Sequence, residues 1–153
     1  MKYTLYGGEE LDIDADDYSK IDSALKPGCY WHLNKKFKYV IGWCIVDGTA
    51  KKIRLSRFLI NAVNSTLEVD HINGNTLDNR KENLRLCSHQ ENCFNTGAYM
   101  SSKVSRYRGK WRARIRTKNS RVTLGIFDTE LEAQKAYDEA SIKYHGNFST
   151  LAR

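Results

Sequence analysis

No stretch of this chain approaches the roughly 18 apolar residues that a membrane-spanning helix requires. The opening MKYTLYGGEELD has no apolar signal core, so export is not expected. The four cysteines, Cys29, Cys44, Cys87 and Cys93, form no C-x-x-C pair. Together with the missing signal they read as free thiols, and a cytoplasmic location follows as the expectation. Cys87, His89 and Cys93 stand close enough to suggest zinc, but their spacing fits no common zinc pattern, so no structural zinc is expected. There is no internal repeat and no low-complexity tract. The one proline sits in Pro27-Gly28 and breaks whatever precedes it.

Acidic residues are missing altogether between Lys103 and Arg121. That stretch holds Lys103, Arg106, Arg108, Lys110, Arg112, Arg114, Arg116, Lys118 and Arg121. The segment EELDIDADDYSKID near the start is the reverse, with Glu9, Glu10, Asp12, Asp14, Asp16, Asp17 and Asp22. The two ends of the chain therefore do different jobs. The formal net charge is +7 and the pI near 9.2, which suggests a polyanionic partner and says nothing of fold. The 153 residues suffice for one medium domain or two or three small modules.

An α+β chain in four parts is expected. Residues 1–60 form a β-rich leader feeding a short helix, with a strand over Tyr39–Val46, a turn at Asp47-Gly48 and an ordered segment from Lys52 to Leu59. Residues 61–95 form a strand–loop–strand–helix unit. Glu68–Ile72 and Asn83–Cys87 read as its strands, Asn73-Gly74-Asn75 starts its loop, and a Ser88/Glu91 capping box starts its helix at His89. Residues 96–102 read as a linker. Residues 103–153 form a sheet covered by one helix. In KWRARIR, Trp111, Ala113 and Ile115 alternate with Arg112, Arg114 and Arg116, which gives an apolar face and an arginine face. Arg106, Arg108 and Lys110 share the arginine parity, subject to a turn near Gly109. Val122, Leu124 and Ile126 are expected on one side of a further strand. Thr129 and Glu132 cap a helix whose stripe Ala133, Ala136, Tyr137, Ala140 and Tyr144 covers the sheet. Tyr137, Tyr144, Trp31 and Trp43 are assigned to core packing.

The run from Val69 to Asn92 carries the chemistry. Asp70 and His71 stand side by side, and Asn83 and Asn92 follow twelve and twenty-one residues after the histidine. Phosphodiester hydrolysis needs a water nucleophile, a proton acceptor and positive charge on the phosphorane. Histidine suits the acceptor, having an unperturbed pKa near 6.5. A magnesium ion suits the electrostatic part and takes hard oxygens such as Asp70 and the amide of Asn92. Neighbouring strand residues point oppositely, so Asp70 and His71 can serve one site only if the strand ends or twists there, and Asn73-Gly74 would supply the ending. The Asn83 amide can bond the loop backbone or the imidazole, and so orient His71. Asn73, Asn75 and Asn79 read as turn formers.

These residues, with the strings D-H-I-N-G, L-D-N-R and E-N-L-R at 70–74, 77–80 and 82–85, resemble the HNH endonucleases of the ββα-metal type. The likeness is to the homing branch whose last ligand is asparagine. The resemblance implies a DNA endonuclease with one divalent ion, Mg2+ or Mn2+, on Asp70 and Asn92. It implies His71 as general base, Asn83 supporting base and loop, and products carrying a 5′-phosphate and a 3′-hydroxyl. Such a protein works at DNA in a bacterial or phage-infected cytosol. Relatives often carry a histidine in an H-R-L string just upstream. Here Ser56-Arg57-Phe58 takes that place, and Arg57 is a candidate phosphate clamp.

The last ~50 residues resemble the plant ethylene-response-factor (apetala-type) DNA-binding domain, on the strings GKWRARI, LGIFDTELEAQKAYDEAS and HGNF. That likeness implies a three-stranded sheet in the major groove of duplex DNA. Arg112, Arg114 and Arg116 would be its central contacts, with Arg106, Arg108 and Arg121 beside them and Lys110 and Lys118 on phosphates. The first strand, around Lys103 to Tyr107, is short and lacks the usual G-V pair. A single nuclease motif in one chain favours nicking by a monomer. The rivals are a non-catalytic DNA-binding regulator with a relic nuclease core, and an RNA-directed nuclease. The narrow RNA major groove argues against the latter.

Overall fold

The computed structural model describes residues 1–96, 103–149 and 151. The chain is α+β and divides into two compact units, Met1–Cys87 and Ser88–Arg153. The predicted 61–95 core straddles that division, because its helix is counted with the second unit. Apart from Thr96, the predicted linker at 96–102 lies outside the described residues.

The first unit begins with a small hairpin, β1 (Lys2–Thr4) on β2 (Glu10–Asp12), and a short helix α1 (Tyr18–Ser23). A three-stranded antiparallel sheet follows, in the order β3 (His32–Asn34), β4 (Tyr39–Val46), β5 (Thr49–Arg54). The short helix α2 (Leu55–Leu59) comes next, then a two-stranded ribbon of β6 (Glu68–His71) and β7 (Leu84–Cys87). The expected strand over Tyr39–Val46 and the helix behind it are therefore found, whereas the hairpin and α1 carry no periodic signal long enough to read.

One face of the β3–β4–β5 sheet is packed and the other is open. Val40, Cys44 and Ile53 join Leu11, Ile13, Ile21, Trp31 and Leu55 in the core. Trp31 is 1% exposed, and its indole N–H donates to the Ile21 carbonyl at 2.9 Å, so its one polar atom is satisfied inside. The ring lies so close to β4 that a Cβ on Gly42 would meet it at 2.7 Å, which only glycine avoids. Trp31 is core, as expected. Trp43 is not: it is 46% exposed, since its odd position in β4 turns it to the open face.

The second unit begins with α3 (His89–Thr96). The capping box forms as read. The Glu91 carboxylate accepts from the Ser88 N–H at 2.9 Å, and the Glu91 N–H donates to Ser88 Oγ at 3.2 Å. A three-stranded antiparallel sheet follows, β8 (Val104–Tyr107), β9 (Lys110–Arg116) and β10 (Arg121–Phe127), with β9 central. Helix α4 (Glu130–His145) covers it, its Thr129 cap and Glu132 closing a second capping box. Ile115, Tyr137 and Ala140 form the core, with Val104, Val122 and Leu124 against it. Tyr144 is 43% exposed and so lies off the packed stripe, against expectation. Ile126 also faces out, because a register shift between Thr123 and Gly125 flips the parity of β10.

Candidate functional site

β6 ends at His71, where the chain turns and the Gly74 N–H donates back to the His71 carbonyl at 2.8 Å. This is the strand ending that a shared site for Asp70 and His71 requires. Asp70 is 3% exposed and stands opposite Arg85 across the ribbon. Arg85 donates through Nε at 2.9 Å and closes an ion pair at 2.8 Å, both to Oδ2 of Asp70. The carboxylate is thus charge-compensated and oriented at the same time.

His71 is 5% exposed. Its Nε2 lies 3.3 Å from Oδ1 of Asn79. The Asn79 amide cannot be turned round, because its Nδ2 donates to the Thr76 carbonyl at 3.1 Å. Oδ1 can only accept, so Nε2 of the imidazole carries the hydrogen and the lone pair resides on Nδ1. Burial lowers the His71 pKa below the ordinary histidine value, outweighing the Asn79 contact and the charges of Asp70 and Asp78, and the charge of Arg54 lowers it further. The imidazole is neutral at neutral pH. Asn79 reads as a turn former in the sequence; the structure adds the contact to the imidazole. Its place in the L-D-N-R string at 77–80 is the signal that could have pointed to it.

Asn83 is 6% exposed and bonds the loop that leaves His71. Its Oδ1 accepts from the Asn73 N–H at 2.9 Å, and its Nδ2 donates to Asn73 Oδ1 at 3.0 Å and to the Asp78 carbonyl at 2.8 Å. Of the two roles open to it, the loop bonding is therefore present. Asp78 in turn accepts from Arg80 Nε at 2.8 Å and from Asn73 Nδ2 at 2.9 Å, and the Arg80 contact above all holds its carboxyl below the usual range.

The acidic N-terminal segment supports the same loop. Asp12 trades backbone hydrogen bonds with Leu77 and Asn79, each at 2.8 Å. Asp14 accepts from the Lys81 N–H at 2.8 Å, and Asp17, 4% exposed, pairs with Lys81 at 2.7 Å. Burial works against the Asp17 charge, but the hydrogen bonds from Lys81 and Lys20 hold its carboxyl below the usual range. Thr76 Oγ donates to the Lys38 carbonyl, latching the loop to the β3–β4 turn as well. Ser56, in place of the frequent histidine, is buried in α2. Arg57 donates to the carbonyls of Leu67 at 2.8 Å and Ser65 at 2.5 Å, just before β6.

Asn92 lies on α3 in the second unit, its backbone N–H bonded to the Ser88 carbonyl at 3.0 Å. Asp70, His71 and Asn83 lie in the first unit. Within α3, Cys93 Sγ and His89 Nε2 approach to 3.6 Å. Among the described residues no three histidine, cysteine, aspartate or glutamate side chains converge as a metal cluster.

Residues 62–93 match a family model described as HNH endonuclease. The match supports nuclease activity in general. It covers the stretch from Ala62 to Cys93, which holds Asp70, His71, Asn79, Asn83 and Asn92 but not the acidic segment, Ser56 or Arg57. No solved structure matches the chain. No helix among the described residues is long and apolar enough to cross a membrane.

The open face of the second unit is basic. Cross-strand register puts Ser105, Arg112 and Ile126 in one row, Arg114 with Thr123, and Arg116 with Arg121. Burial, with the nearby charges of Arg112 and Arg121, lowers the pKa of Arg114. The Nε atoms of Arg112 and Arg114 are shielded from water and meet no acceptor among the described residues. The phase does break at the two-residue turn Arg108-Gly109, where both φ angles are positive at 51° and 82°. Arg106 consequently shares the Trp111 side and stacks on that ring at 4.4 Å, away from the Arg112 face. Lys110 and Lys118 each already hold a carboxylate, Asp128 at 2.8 Å and Glu91 at 2.7 Å.

Proposed function

We propose that this chain is a homing-type endonuclease that hydrolyses phosphodiester bonds of duplex DNA, with His71 as the general base. One observation carries the reading. A buried histidine whose Nε2 is held by Asn79, so that its lone pair lies on Nδ1, follows a buried, oriented carboxylate at a strand end. That arrangement lies inside the stretch that matches the HNH endonuclease model.

The donor set fits a hard divalent cation. Asp70 offers an anionic oxygen set by Arg85, and Asn92 offers a neutral amide oxygen. Mg2+ or Mn2+ is the ion we assign to them. When bound, it would supply positive charge at the scissile phosphate. The chain's own residues do the rest. His71 Nδ1 accepts a proton from water as the water oxygen bonds to phosphorus, the bond to the 3′ oxygen breaks, and that oxygen takes up a proton from solvent. A 5′-phosphate and a 3′-hydroxyl result. Asn79 positions the ring. Asn83 fixes the loop from Asn73 to Asp78, and Arg80 and Lys81 fasten that loop to Asp78, Asp14 and Asp17.

The second unit would deliver the DNA through its ethylene-response-factor-like sheet. A polyanion would supply acceptors to Arg112 and Arg114 on this basic face. We take the working form to be a monomer in the cytosol. The test is supercoiled plasmid incubated with and without Mg2+, beside His71→Ala. Metal-dependent nicking that the variant loses is expected. Intact plasmid throughout, over substrates that include the host genome, would favour a DNA-binding regulator with a relic core. Cleavage retained by the variant would remove His71 from the role.

A further inference from the structure

We propose that the open face and free edge of the β3–β4–β5 sheet form a second DNA-binding surface. It would seat the sugar–phosphate backbone of a duplex beside the nuclease site. Lys52, Arg54 and Arg57 would take the phosphates, and Trp43 would pack against the sugars. The inference rests on the nuclease reading for its partner, but its physical basis is separate.

Register defines the face. His32, Ile41 and Arg54 form one row, Trp43 and Lys52 the next, and Ile45 and Ala50 the last. The opposite face is spent on the core. Trp43 is 46% and Ile45 49% exposed. They sit two residues apart on β4 and so share that face, which gives the basic surface an apolar centre. The charge around them has one sign. Between His32 and Leu67 the chain has Lys35, Lys36, Lys38, Lys51, Lys52, Arg54 and Arg57, against a single acid, Asp47. Asp47 sits at the far turn and faces Lys51 at 3.9 Å. Among the described residues, Lys52, Arg54 and Arg57 pair with no carboxylate.

The surface is built as well as charged. β5 is an edge strand, and along it runs an open cleft of about 260 Å³ lined by Lys51, Lys52, Arg54, Arg57 and Asn64. Arg57 is fixed there by the carbonyls of Ser65 and Leu67, and Arg54 by stacking on Tyr39 at 4.2 Å. Preset guanidinium groups lose little freedom on meeting a phosphate. The basic face also reaches the chemistry. Arg54 stands near enough to His71 for its charge to act on the imidazole, and the Lys38 carbonyl holds Thr76 of the catalytic loop. Charge complementarity and this continuity select duplex DNA over a second copy of this basic chain.

The test uses the full chain, a fluorescent duplex and EDTA, so that binding is read without cleavage. Trp43→Ala with Lys52→Ala should raise Kd roughly tenfold, and Lys52→Ala alone should lower the magnitude of the salt slope by about 0.9. Duplex should also shield an iodide-quenchable tryptophan in the wild type that is missing in Trp43→Phe. Lys52→Ala and the quenching experiment stand even if the alanine double variant fails to fold. Affinity and slope within error of wild type would overturn the proposal. So would light scattering that shows a dimer lost in the Trp43 variant, because the face would then be a self-interface. Unchanged binding with intact cleavage sinks this inference alone; weakened binding with no cleavage under any condition sinks the nuclease reading alone.

Discussion

The imidazole of His71 meets an amide whose own direction is set by a backbone carbonyl, Thr76. This chain of two hydrogen bonds decides which ring nitrogen is basic, and a general base with the wrong tautomer is no base at all. Histidine-selective 15N NMR should therefore find His71 with its hydrogen on Nε2; a hydrogen on Nδ1 would contradict the assignment. Asn79→Asp keeps an acceptor in place and should hold the tautomer. Asn79→Leu removes the acceptor and should cost on the order of 10–100-fold in cleavage rate, with duplex affinity unchanged. His71→Ala should cost more, about 10²–10⁴-fold. The acid, the histidine and the asparagine at 83 stand out in the sequence because their residue types suit the hydrolysis proposed for them. Asn79 was not, since an asparagine in a loop has a sufficient local explanation as a turn former, and only burial to 1% exposure reveals the other one.

At the scale of elements, legibility followed periodicity. Tyr39–Val46, β9 and both capped helices have signals spanning several residues or a fixed three-residue offset, and they appear where expected. Ile126 and Trp43 were misread, the first because a register shift in β10 flips its side and the second because strand alternation turns it to the open face, while the side of Arg106 follows from the Arg108-Gly109 turn that the sequence flagged. The acidic segment reads as charge alone, yet in the fold Asp14 and Asp17 are spent on Lys81 and thereby on the loop between β6 and β7. The Asp17 carboxyl is held below its ordinary value, so its contribution to stability is present above about pH 4 and fades as pH falls through the lowered pKa. Asp17→Asn should lower stability at pH 7 by about 1–3 kcal/mol, measured by urea unfolding. The gap to wild type should narrow on acidification below about pH 4, and an undiminished gap there would mean that the pair is not the cause. On β9, Arg112→Ala with Arg114→Ala should weaken duplex binding roughly tenfold or more, without lowering the melting temperature, because both side chains leave the packed face. Unchanged affinity at moderate salt would remove the second unit's sheet from the interface.

For the whole molecule, the decisive quantity is how many cations meet phosphate. The net charge of +7 does not give it directly, since each acid engaged within the fold also occupies a base: Asp12 with Lys2, Asp17 with Lys20 and Lys81, Asp78 with Arg80, Asp70 with Arg85. What remains for a partner is one basic face on each unit. Each phosphate neutralised on B-DNA releases counterions and adds about −0.9 to the slope of log affinity against log salt. The arginine face of the second unit, with about six contacts, gives a slope near −5. Adding Lys52, Arg54 and Arg57 from the first unit steepens it to about −8. The full chain titrated on a duplex of some thirty base pairs in EDTA separates the two cases. A slope near −8 that falls back toward −5 in a Lys52→Ala, Arg54→Ala, Arg57→Ala chain means that both units hold DNA at once. A wild-type slope of −5 or shallower means that the first unit reaches the phosphodiester only through the catalytic residues.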